Sequence, residues 1–158
     1  KARKGEKKSS MEDIKLVPIS AKDIKALDET EYKNLSGEKR KQLVSDSDKG
    51  EHGGEFFRFY LVKIKTETVG VINVCGHGSK VISVAPEIIE RYRNKGYAAK
   101  SLALAYSLAK EQGFEEATAK IREENIASRR LHEKAGFEFK EKVSGKNGNT
   151  LMVYTKKL

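Results

Sequence analysis

Cysteine occurs once in this chain, at Cys75. A single thiol permits no intramolecular disulfide, so the fold has to hold through its core, and a reducing, cytoplasmic setting is expected. No apolar run approaches the roughly 20 residues that cross a bilayer, and no membrane partner is expected. The segment Lys1–Ser10 is basic but has no apolar stretch behind it, unlike a secretory signal. No internal repeat is visible. No Gly-x-x-x-x-Gly-Lys-Ser/Thr run is present, which argues against a nucleotide-binding domain of the P-loop kind. Cys75, His77 and His52 are too scattered for a metal centre, and nothing in the sequence supplies Cys75 with a paired base.

Charge is what the chain has in quantity. Of its 158 residues, 37% are hydrophobic and 35% charged, a polar but foldable composition of single-domain length. The net charge is +9, and residues 1–10 hold +4 of it. This reads as a basic tail (1–10) followed by one domain (11–158). The body mixes acids and bases and suits an anionic ligand. Few aromatics are interleaved with the basic residues, which argues against nucleic acid as a partner.

Lys15–Ile19 reads as an edge strand, with Pro18 removing a ladder donor. Ser20 caps an expected helix over Ala21–Leu27, and Gly37–Val44 is a second, weaker one. Ser45–Gly54 reads as a polar loop, and its acidic cluster of Asp46, Asp48 and Glu51 is either simply solvated or would favour a cationic ligand. Phe56–Ile64 and Thr68–Val74 form a hairpin, and Lys80–Ala85 is a third strand that Pro86 stops. Tyr97–Gln112 is helical, with Leu104, Leu108, Ala105, Ala109 and Leu102 on one apolar face. Gly113 ends it in the left-handed manner. Phe114–Ile121 is a strand, and Asn125 caps a helix that Gly136 ends. Phe137–Val143 and Thr150–Thr155 flank the hairpin turn Asn147-Gly148. The order β-α-α-β-β-β-α-β-α-β-β predicts a mixed sheet with flanking helices.

Arg93-Asn94-Lys95-Gly96-Tyr97-Ala98 opens the long helix. Its first backbone N–H groups lack partners and the helix dipole is positive there, so an anion is stabilised. Gly96 and Ala98 leave room for a pyrophosphate, and Arg93 and Lys95 add charge at the rim. By itself the pattern is compatible with an ordinary helix start behind a basic loop.

A second stretch, Asn125-Ile126-Ala127-Ser128-Arg129-Arg130-Leu131-His132-Glu133-Lys134-Ala135-Gly136-Phe137, closely resembles the second cofactor motif of GNAT-superfamily N-acetyltransferases. Arg93–Ala98 resembles the first, Gln/Arg-x-x-Gly-x-Gly/Ala, and the two stand in the superfamily's order. The resemblance covers residues 55–157 by motif and 11–54 by element order.

It implies a GNAT acyl-CoA N-acyltransferase fold: an α/β, mostly antiparallel sheet whose central strands splay apart. It also implies an enzyme that passes an acetyl group from acetyl-CoA to a primary amine, on a small molecule or a protein, by direct attack in a ternary complex. The pantetheine arm would lie along the backbone at Ser83, Val84 and Ala85. The pyrophosphate would rest on Asn94, Lys95, Gly96, Tyr97 and Ala98 beside Arg93. Asn125 would touch the arm as well as cap its helix, or would only cap it. The spacing from Pro86 to Gly96 exceeds the usual one and implies an extra turn within Glu87–Tyr92.

Where many members place a proton-donating Tyr, this chain has His132, which is either the donor or a polar residue on an exposed helix face. Where some relatives carry a general base, it has Lys120, which leaves Glu67, Glu55, His77 and Glu123 as candidates, or water alone. A homodimer is compatible with the resemblance. The competing reading is a non-catalytic module of the same fold that uses its basic surface on RNA, the ribosome or a protein.

Overall fold

The computed structural model describes residues 13–158. The basic tail lies outside them. At the centre is a hairpin of β3 (Glu55–Ile64) and β4 (Glu67–Gly76), rich in aromatic and β-branched residues as strands favour. Lys65 takes the left-handed conformation at its turn (φ 55°). The register passes from Val62↔Gly70 to Lys63↔Thr68, so Val69 is an extra residue bulged into β4. β1 (Ile14–Pro18) pairs with β3 along one edge, and the short β2 (Glu51–His52) also pairs with β3.

β5 (Val81–Ile88) runs antiparallel to β4 from Gly76↔Ile82 to Gly70↔Ile88. The strands approach closely at the far end, where a Cβ on Gly70 would stand 2.4 Å from the Glu87 carbonyl oxygen. The chain then makes a short 3₁₀ turn (Glu90–Tyr92), the expected extra turn, and enters helix α2 (Tyr97–Glu111). It returns as β6 (Glu116–Arg122), parallel to β5. Helix α3 (Ile126–Lys134) leads to the hairpin of β7 (Glu138–Ser144) and β8 (Thr150–Lys157), in which β8 pairs with β6. The sheet order is β1-β3-β4-β5-β6-β8-β7, mixed and mostly antiparallel as expected.

Two apolar layers hold this sheet. On one face α2 and α3 cover Val62, Ile72, Ile82, Val84, Ile121 and Tyr154. On the other, Phe59, Leu61 and Val71 meet Leu27, Leu43 and Val44 from the N-terminal helical segments. Those segments are two 3₁₀ stretches, Ala21–Glu29 and Glu31–Asn34, and helix α1 (Gly37–Lys49). The buried Arg40 of α1 ties them together by donating to the carbonyls of Ile24, Lys33 and Leu35 and to Asp28.

Four expectations need correction. The segment after Ser20 is helical but 3₁₀, with the Asp23 carboxylate accepting from both the N–H and the hydroxyl of Ser20. Ser45–Lys49 belong to α1, which ends only at the left-handed Gly50 (φ 75°), so Asp46 and Asp48 sit on a helix and not in a loop. Leu104 and Leu108 are 36% and 37% exposed. The face of α2 that packs is Ser101, Leu102, Ala105, Tyr106 and Ala109, which keeps the expected Leu102, Ala105 and Ala109 but has Ser101 and Tyr106 in place of the two leucines. Finally, β5 runs through Pro86 to Ile88. Pro86 stays level with Ile72 on β4, and its missing donor costs nothing because β6 has already left its other side.

Candidate active site

The parallel pairing of β5 with β6 lasts for two residue pairs, Val81↔Glu116 and Ile82↔Ala117. Beyond them the strands diverge and leave a slot of about 600 Å³, lined by Ser83, Val84 and Ala85 on one side and Thr118, Ala119 and Lys120 on the other. A second hollow of about 610 Å³ lies at the mouth of α2, against Arg93, Asn94, Gly96, Tyr97, Ala98 and Asn125. Pro86, Ser128 and His132 line both, so the two are one continuous groove.

The ladder shows which backbone groups face the slot. Pro86 has no N–H, so its pair with Ile72 must be a non-hydrogen-bonded one. Alternation then aims the amides of residues 83, 85 and 87 at β4. The bonds at either end agree: His77 donates to the Val81 carbonyl and Ile89 to the Val69 carbonyl. The N–H and C=O of Val84 therefore point away from β4, into the slot. Ser83 and Ala85 line it with their side chains while their backbone stays in the ladder.

At the mouth of α2, Asn94 (φ 64°) and Gly96 (φ 81°) are both left-handed. Such a loop gathers N–H groups into a concavity for an anion. No side chain caps Gly96, and none of the N–H groups from Asn94 to Ala98 has a partner among the described residues. Arg93 holds the loop by donating from Nε to the Ile88 carbonyl, 2.9 Å. Lys95 does not line the hollow. Asn125 caps α3, its Oδ1 accepting from the Ser128 N–H at 3.1 Å, and also lines the hollow.

His132 is 4% exposed, not on an open helix face. Its Nδ1 lies 2.8 Å from the Ser128 carbonyl, which can only accept, so Nδ1 carries the hydrogen. Nε2 is buried without a partner among the described residues. Burial pushes the imidazole pKa down, which keeps the ring neutral at pH 7 and leaves Nε2 a lone-pair acceptor. Phe137 packs edge-on against the ring.

Of the four base candidates, only His77 lines the slot, with Nε2 2.7 Å from the Ser83 hydroxyl. Glu55 accepts the Gly78 N–H, Glu67 accepts the Tyr92 hydroxyl, and Glu123 pairs with Lys142. Cys75 contacts Asn73, and burial pushes its thiol pKa up. Asp46 pairs with His52 beside a different hollow, under α1. Sequence reasoning missed Ser128 and Thr118; the alternation of β6 could have placed Thr118 beside Lys120.

A slot of mixed polar and apolar lining between parting strands, joined to an anion-binding helix mouth, is the architecture of an acyltransferase that takes a long phosphorylated thioester. The acetyltransferase (GNAT) domain family matches residues 15–138, and the chain belongs to that family. It is thus an acyltransferase whose acyl donor is acetyl-CoA.

Solved structures share the fold at low identity. A ribosomal L7/L12 alpha-N-protein acetyltransferase in complex with coenzyme A is 17% identical, with TM-score 0.77 over 92% of this chain and 94% of that one. The Salmonella typhimurium acetyltransferase that modifies the N-terminal serine of L7/L12 is 15% identical, with TM-score 0.77 over 92% and 95%. A spermidine N-acetyltransferase chimera from Vibrio cholerae and a human enzyme is 13% identical, with TM-score 0.73 over 90% and 95%. No curated protein sequence matches the chain.

Proposed function

We propose that this chain transfers the acetyl group of acetyl-CoA to a primary amine, on a small molecule or a protein, by direct attack while both substrates are bound. The observation that carries this is the continuous groove from the unpaired N–H groups of Asn94–Ala98 to the slot-facing amide of Val84. The named relatives act on a protein N-terminus and on spermidine, so the shared fold leaves the acceptor open.

Acetyl-CoA supplies an activated acyl group, and the chain's residues do the rest. The loop Arg93–Ala98 holds phosphate oxygens with backbone donors. The Val84 N–H stabilises the charge that grows on the carbonyl oxygen as the amine attacks. A C–N bond forms and the C–S bond breaks; one proton leaves the nitrogen and one arrives on the sulfur. The sequence suggested His132 as that proton's donor, but a neutral ring has none to give at Nε2. We assign it as a relay through water: groove water carries the proton from the nitrogen to Nε2, which passes it to the departing sulfur.

The test is thiol release from acetyl-CoA across a panel of amines, with His132→Phe alongside. Turnover with at least one amine, and a fall in kcat of about 10²-fold in the variant, are expected. Full kcat in the variant removes the relay. Coenzyme A binding without turnover on any amine leaves the non-catalytic module instead.

A further inference from the structure

The slot opens on two faces, and they differ in charge. The side chains of Val84 and Ala119 are buried toward α2 and α3, the face that carries the phosphate loop and His132. Ser83, Ala85, Thr118 and Lys120 alternate to the opposite face. Carrying the register Ile82↔Ala117 past the split puts Ser83 level with Thr118 and Ala85 level with Lys120. The donor's phosphates belong on the helical side, so the acceptor enters from the other.

That entrance is lined by His77, Ser83, Thr118 and Lys120; among the described residues no carboxylate lines the slot, and Glu87 lines the adjoining hollow. Two nearby acids are turned to structural work: Glu55 accepts the Gly78 N–H, and Glu87 accepts the Glu31 N–H. Lys80 and Lys142 have carboxylate partners, whereas Lys120 makes no ion pair among the described residues. An entrance whose own lining carries an unpaired cation, with the nearest carboxylates held at its edges by backbone N–H groups, disfavours a polyamine and favours an acceptor bearing negative charge.

We propose that the acceptor is an amine carrying an anionic group, carboxylate or phosphate, within a few bonds of the nitrogen, and that Lys120 binds that anion. The amine then sits between His77 and the Val84 amide, with the anion toward β6. An amino acid, an aminoalkyl phosphate or a peptide amino terminus followed by an acidic residue offers this pairing. A fully cationic polyamine does not. The inference rests on the acetyl-transfer reading for which molecule is modified, but it concerns recognition and can be tested without turnover.

The experiment measures acceptor binding to the coenzyme A complex by calorimetry, beside kcat/KM with acetyl-CoA. The probes are matched pairs, β-alanine against propylamine and aminoethyl phosphate against ethanolamine, together with an acidic dipeptide and spermidine. Members bearing the anionic group should exceed their partners lacking it by about tenfold, with spermidine weakest. Lys120→Glu should abolish or reverse that order, and Lys142→Glu, which changes net charge equally outside the slot, should preserve it. The dipeptide and phosphate arms tell a peptide acceptor from a small one. Equal binding of the matched pairs, preference for spermidine, or an order unchanged by Lys120→Glu overturns the proposal. Anion-selective binding without turnover upholds it and sinks the catalytic reading instead.

Discussion

His132 shows how one hydrogen bond fixes the chemistry of a side chain. With Nδ1–H committed to the Ser128 carbonyl, Nε2 has to be the reactive atom, and burial keeps it unprotonated. The same burial makes a stability statement. The folded-state pKa lies below the unfolded value of about 6.5, so the unfolded chain takes up a proton first as pH falls. The contribution of His132 is complete above that value and is lost as pH drops through the folded pKa. Asp46 and Glu123, whose pKa values are lowered by hydrogen bonds from His52 and Lys142, weaken the fold only in the more acidic carboxylate range. Melting temperature should therefore decline from about pH 6.5 downward, before the carboxylates titrate. His132→Phe should flatten that first decline, and an unchanged slope would show that the buried imidazole is not its source.

At the scale of elements, the site is made by β5 keeping one neighbour and losing the other. Gly70 lets β4 hold β5 at close range, while β6 departs after two pairs. Gly70→Ala places a Cβ against the Glu87 carbonyl, a backbone atom with no room to swing aside. It should cost about 1–3 kcal/mol and, by displacing the end of β5 that leads to the phosphate loop, weaken coenzyme A binding. Chemical denaturation with a coenzyme A titration measures both; stability lost with binding intact would separate β4–β5 contact from slot geometry.

Much of this arrangement was legible in the sequence. Asn147-Gly148, the β-branched runs around Lys65 and the caps at Asn125 and Gly136 are local signals, and each element they mark is present. The packed face of α2 was legible only in part: Leu102, Ala105 and Ala109 turn inward as expected, but Leu104 and Leu108 do not. Leu104 and Leu108 form as good an apolar pair as Leu102 and Ala105, and only the neighbouring strands decide which turns inward. Pro86 misled for the same reason: a proline ends a strand flanked on both sides, and the split that exempts β5 depends on β6, some thirty residues on. The burial of His132 likewise follows from where Phe137 packs, which no spacing along the helix reveals.

Over the whole molecule, the unpaired amides of the helix mouth and the slot share one long groove, and its binding energy becomes folding energy by mass action. A ligand at 100 times its Kd stabilises a protein by about 2.7 kcal/mol. At about 2–4 °C per kcal/mol for a domain of this size, coenzyme A should raise the melting temperature by about 5–11 °C. ATP offers phosphates to the helix mouth but no arm for the slot, so its shift should be smaller at equal concentration. Gly96→Glu should remove most of the coenzyme A shift, because it places a carboxylate among the amides that await phosphate and forces a side chain onto a left-handed backbone (φ 81°). Added salt should cut the ATP shift more than the coenzyme A shift, since screening weakens charge attraction and leaves the uncharged arm's contacts with the slot. An ATP shift equal to that of coenzyme A would mean that the helix mouth binds alone and that the split between β5 and β6 plays no part in holding the donor.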